Sequence, residues 1–139
     1  MISPEAALRR ILMETPATAD VIGQRIYPVL APTTAELPFV VYRREGVNRM
    51  STIAGPSGKA TVMVGYMVID TTYEKVRHVA SLIAGTLDGW AGTVNDTRLI
   101  SVHLSNEMDN FAELTGAEMP TVYSVSQTYD VIYEENSNG

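Results

Sequence analysis

With 139 residues, 45% hydrophobic and 19% charged, the chain is sized for one soluble domain that buries roughly two thirds of its unfolded surface. No apolar run approaches the roughly 18 residues of a membrane span, and the absence of cysteine removes disulfides, thiolate metal sites and thiol nucleophiles. A net charge of −6 and a pI near 4.8 argue against a nucleic-acid-binding module, whose footprint is a basic patch.

Residues 1–10 place Pro4 and Glu5 first and Arg9 and Arg10 inside a helical pattern. A signal peptide has its charges first and an apolar stretch after them, so none is expected. Ser3 is placed to cap a first helix, with Pro4 at its first position and Glu5 near the positive end of the dipole. Leu8, Ile11 and Leu12 recur at helical spacing, and Pro16 forces Thr15 out of the helical region. A short further turn of helix runs to Ile22, with Gly23 as its stop.

Residues 24–30 read as a strand anchored by Ile26. Pro28 cannot donate to a ladder, so this strand belongs at an edge or breaks there. A loop at 32–37 leads to a second strand at 39–45. Residues 46–58, rich in Gly, Ser, Pro and Asn, read as a long flexible tip. Arg49, Met50 and Ile53 within it are poor choices for a segment meant only for solvent, which makes them candidate partner contacts.

The run 59–70 is the longest clear strand. Val62, Val64, Tyr66 and Val68 fall on one face and Met63, Met67 and Ile69 on the other, so both faces require cover: a helix on one side, a second sheet or a neighbouring subunit on the other. Thr71 to Glu74 fits a capping box with Thr71 as the cap. The apolar stripe Tyr73, Val76, Val79, Ala80, Ile83 and Leu87 then defines a helix that Gly89 terminates. Ile100, Val102, Leu104 and Met108 alternate with polar residues in a half-buried strand. The connection at 109–120 carries Phe111 and Leu114, less polar than a solvated turn and therefore further candidate contacts. In the last strand Tyr123, Val125, Tyr129, Val131 and Tyr133 share a face, before a polar, frayed tail at 134–139. These elements predict an α+β fold: one domain, 1–139, with a mostly antiparallel β-sheet packed with two α-helices, N-terminal and central.

Catalytic and cofactor signals are missing. Gly55 to Ala60 imitates the end of a phosphate-binding loop, but Ile53 stands where the first glycine belongs and Ala60 replaces the metal-binding hydroxyl. His103 and Glu107, on a strand, stand about 13 Å apart, too far to share a metal. His78 lies on the wet face of the central helix. The acidic pairs Glu107/Asp109 and Glu134/Glu135 show no converging geometry, and no serine sits in a nucleophile elbow. The tyrosine-rich last strand lacks the positive groove of a single-strand binder. No cofactor, no metal and no enzymatic activity are expected.

Arg25, Ile26, Tyr27 and Pro28, then Leu37, Pro38, Phe39, Val40, Val41 and Tyr42, carry a resemblance. A short helix leading to an Arg-Ile-Tyr-Pro strand, followed by a Pro-opened hydrophobic strand, resembles the tail-completion, or tail-terminator, proteins of long-tailed phages and related tailed particles. The order of elements fits from about Pro4 to Tyr133. The resemblance implies a structural virion protein that forms a ring, usually a hexamer, on the head-proximal end of the tail tube. Its implied partners are further copies of itself, the tail tube protein and a head-completion or neck protein. The implied location is the virion, after assembly in the host cytoplasm. DNA is expected to pass through without specific binding, since an acidic wall repels a duplex carrying one charge per roughly 1.7 Å. The matching residues are structural, so no interface position transfers with them. Two alternatives stand beside this reading: a head-completion or neck ring subunit, and a soluble ligand-binding domain unrelated to phages.

Overall fold

The computed structural model describes residues 2–52, 55–113 and 121–135. Among them are three helices, α1 (Pro4–Glu14), α2 (Pro16–Ile22) and α3 (Tyr73–Leu87), and six strands. The strands are β1 (Ile26–Pro28), β2 (Phe39–Thr52), β3 (Gly55–Asp70), β4 (Gly92–Val94), β5 (Thr97–Glu113) and β6 (Thr121–Glu134). They form one sheet in the order β1-β2-β3-β6-β5-β4, with every neighbouring pair antiparallel except β1 and β2. This is the α+β architecture that the alternation of residues predicts.

Local chemistry sets the helix ends. The Ser3 hydroxyl accepts from the Ala6 amide at 3.2 Å, and Pro4 opens α1. Pro16 divides the N-terminal helical region into two helices by holding Thr15 in extended backbone, φ −92° and ψ 116°. The Thr18 hydroxyl donates back to the carbonyls of Leu12 and Thr15, fixing α2 against the end of α1. The cap of α3 is Thr72, whose hydroxyl accepts from the Lys75 amide, rather than Thr71. Thr71 is held one residue earlier, its amide donating to the Asp70 carboxylate at 2.7 Å. Gly89, at φ 83°, takes the left-handed turn that a helix exit needs.

All three helices contribute to one core layer on a single face of the sheet. Leu8 and Leu12 of α1, Ile22 of α2, and Val76, Ala80, Ile83 and Leu87 of α3 are buried. They meet Val40 of β2, Val62, Val64 and Val68 of β3, and Val125 and Val131 of β6. Tyr42, Tyr66 and Tyr129 stack across three strands, with centroids 5.9 and 5.7 Å apart. The Tyr66 hydroxyl is buried with no hydrogen-bond partner among the described residues. Burial pushes its pKa well above that of a free phenol.

Further expectations change. Residues 46–58 are largely ladder: β2 runs to Thr52 and β3 starts at Gly55, so the expected flexible loop is the arm of a β-hairpin. Gly55 and Pro56 pair with β2 alone, ahead of the part of β3 that pairs with β6, and register shifts after Arg44 and Arg49 absorb the irregular residues. Likewise β5 carries register shifts after Leu99 and after Leu104. The first puts Leu99, rather than Ile100, in the core beside Val102, and the second turns Met108 to the opposite face, where it is 52% exposed. The polar end of the chain is tied down at first, because Glu134 pairs with Lys59 in the ladder and the Glu135 amide donates to the Gly58 carbonyl. β4 has no counterpart in the hydrophobic pattern, being three residues long.

Candidate assembly surfaces

The sheet has one face under the helices and one without helical cover. Register places Phe39, Ile69, Ser124 and Asn110 in one row across the uncovered face, and Val41, Met67, Ser126 and Met108 in the next. Such rows bring side chains within contact distance of one another. Met67 is 41% exposed. Beside this face Val29 and Leu30, just past β1, are 64% and 80% exposed. A groove of about 420 Å³ runs between them and Phe39, Val41, Met67 and Ile69.

Val29 has φ 67°, a left-handed conformation that a β-branched residue rarely adopts. Its amide donates to the Tyr42 carbonyl at 2.8 Å, which holds the chain there. Backbone strain of this kind costs on the order of 1–3 kcal/mol and concentrates where a conformation serves a function. Two large apolar side chains are thereby held out in water, a position that folding alone does not require.

The residues read from the sequence as contacts are scattered. Arg49 lies on β2 and pairs with Glu135 at 2.9 Å. Met50 lies on β2 and Phe111 on β5, both fixed here by backbone position alone. Ile53 and Leu114 lie outside the described residues. Arg49 and Met50 are neighbours on β2, but Phe111 is apart from them, since β3 and β6 lie between β2 and β5.

Polar groups cluster where α3 meets the outer end of β5. Arg77 reaches the Glu107 carboxylate at 2.6 Å and that of Asp109 at 3.2 Å, while the Tyr73 hydroxyl donates to Asp109 at 2.8 Å. The Asp109 hydrogen bond raises the Tyr73 pKa. Inside this cluster Gln127, fully buried, donates to Glu107 and to the Ala80 carbonyl and accepts from the Tyr129 hydroxyl. Sequence reading passed over Gln127, although strand alternation sets it among Tyr123, Val125 and Tyr129. At the other end of the sheet Arg44 forks onto Glu5 with bonds of 2.7 and 2.8 Å, fastening β2 to α1. Partial burial pulls the Glu5 pKa upward, but the bonds from Arg44 and Ser3 outweigh it and leave it lowered.

These groups act as structural ties. Among the described residues there is no cluster of three or more His, Asp or Glu able to hold a metal ion. His103 instead stands 3.8 Å from Asp88, which also accepts from the Leu104 amide. No helix is long and apolar enough to cross a membrane.

No curated protein matches the chain. Among solved structures, a chain of the "Virion of native gene transfer agent (GTA) particle" has a similar fold. Its TM-score is 0.75 at 16% identity, with 95% of each chain covered. The family model described as Tail completion protein gp17 matches residues 6–134, from the first turn of α1 to the end of β6. The chain belongs to the Tail completion protein gp17 family.

Proposed function

We propose that this protein is a structural, non-enzymatic subunit of a phage-type tail that assembles into a ring, a hexamer, at the head-proximal end of the tail tube. The ring ends tube polymerisation and gives the head its docking surface. Family membership supports the tail role. The observation that carries the interface reading is the uncovered sheet face with Val29 and Leu30 held out beside it. Exposed apolar surface of this kind marks contacts with other proteins. The net charge of −6 per subunit, repeated around a ring, keeps phosphate from adhering to the wall.

Purified protein added to growing tail tubes should arrest them at one end, with tube length read by electron microscopy and ring mass by light scattering. Duplex DNA should bind no tighter than about 1 µM at physiological salt. Attachment to filled heads without attachment to tubes would move the protein one layer up, to the neck. Failure to bind either would sink the proposal.

A further inference from the structure

The body of the sheet is the four-strand ladder β2-β3-β6-β5, and its two outer strands are covered over only part of their length. β1 shields β2 at residues 40–42. β4 shields β5 at residues 97–99, and the exit of α3 extends that cover. There Gly89 donates to the Val102 carbonyl and the Asp88 carboxylate accepts from the Leu104 amide. Beyond these points no described residue covers either edge. By the two-residue alternation of an antiparallel ladder, Arg44, Val47 and Arg49 of β2 turn their peptide groups outward, as do Glu107 and Asp109 of β5. Among the described residues no backbone group bonds to them. A bare edge is a template for another strand.

The two bare stretches lie at opposite ends of the sheet. Following the pairs across, Arg44 is level with Leu104, where β5 is covered, and Asp109 is level with Val40, where β2 is covered. Setting bare edge against bare edge therefore shifts one copy along the strands by about four to six residues, roughly 13–20 Å. Four strands span about 19 Å of sheet. A shift of that size over that width is a strand tilt of about 35–45°, the tilt at which sheets close into barrels. Direction agrees as well. β2 and β5 run oppositely within one copy, and rotation about a common axis preserves each sense, so the junction is antiparallel like its neighbours.

Charge agrees too. On the helix side of the bare β2 stretch stand Arg44 and Arg49, and on that of β5 stand Glu107 and Asp109. Within one copy those two carboxylates share Arg77. Arg44 and Arg49 each have one carboxylate partner, Glu5 and Glu135, and guanidinium donors to spare.

We propose that the ring closes by strand addition: residues 106–110 of one copy pair antiparallel with residues 44–49 of the next. The sheets thereby fuse into one continuous barrel wall. This rests on the ring reading above and names its subunit contact. Six copies give about 24 strands, and at a tilt near 40° a barrel roughly 45–50 Å across between backbones, wider than a DNA duplex. A head-to-tail contact of this kind closes without leaving an edge for growth.

Cysteine pairs test the register, since the chain has no cysteine of its own. Asn48 and the two β5 residues Asn106 and Met108 are exposed on the uncovered face. Asn48→Cys with Met108→Cys reads a stagger of six residues, and Asn48→Cys with Asn106→Cys a stagger of four. Oxidation of the assembled ring, in solution or on tube ends, should convert one of these double variants into a covalent ladder of oligomers. Roughly ten-fold more product is expected than from any single variant, because only facing Cβ atoms near 4 Å can bridge. Rings of unchanged mass that give no ladder in either pair would overturn strand addition and leave the ring reading standing. Absence of any ring would overturn both.

Discussion

Replacing Gln127 by leucine lowers the free energy of unfolding by about 3 kcal/mol, a large share of the 5–15 kcal/mol typical of a domain. The substitution strips the Tyr129 hydroxyl of its acceptor inside the core and takes a donor from Glu107 and from the Ala80 carbonyl. A buried polar group left without a partner costs about 1–3 kcal/mol, as the Tyr129 hydroxyl then is, and the Ala80 carbonyl and Glu107 each lose one bond besides. Urea unfolding followed by circular dichroism measures the loss. Adding Tyr129→Phe to the leucine variant should recover part of it, because the orphaned hydroxyl is then gone. A loss under about 1 kcal/mol for Gln127→Leu would mean that the three bonds are dispensable.

A double substitution just past β1, Val29→Asn with Leu30→Asp, should leave the fold intact and abolish ring assembly. Neither side chain is in the core cluster, and asparagine suits the left-handed backbone at position 29 better than valine does. The monomer should therefore melt at the wild-type temperature or slightly above it. Burying a leucine or valine at a contact is worth about 1.5–3 kcal/mol each, so losing both raises the concentration needed for assembly by at least about 100-fold. Burying an unpaired aspartate adds to that. Light scattering and tube capping read the effect. A variant that still caps tubes at wild-type concentration would exclude this patch from the interface.

Much of this molecule is legible in its sequence because burial imposes a period. Ser3 and Pro4, the stripe from Val76 to Leu87, and the alternations in β3 and β6 each follow from one local rule and appear where those rules put them. What escapes is decided by partners distant in the chain. The arm beyond Gly46 reads as a loop in isolation and becomes strand because Val47 and Arg49 find Val62 and Ala60. The bulge near Ser105 reverses which face Met108 occupies, and nothing in the alternation announces it. The sequence marks Arg49, Met50, Ile53, Phe111 and Leu114 as candidate contacts because those residues are unusual for loops. Val29 and Leu30 read in the sequence as the end of a strand. Their exposure follows from the short extent of β1, a tertiary fact. Gln127 had a signal, a lone amide in a Tyr/Val alternation, which the apolar reading of that face absorbed.

The tyrosine stack couples the fold to hydroxide. Tyr66 and Tyr129 are sealed in the core, and burial raises the pKa of each above that of a free phenol. Unfolded, both lose their protons near pH 10; folded, they keep them. Their contribution is intact below pH 10 and is lost as pH climbs above it. Each costs about 1.4 kcal/mol per pH unit, so the pair removes nearly 3 kcal/mol per unit. The chain should accordingly unfold cooperatively in alkali, and its phenolate absorbance should rise in two stages. Exposed rings ionise first, and the sealed pair appears together with the loss of ellipticity. Phenylalanine at position 66 should shift that second stage to higher pH, because one of the two buried hydroxyls that report unfolding is then gone.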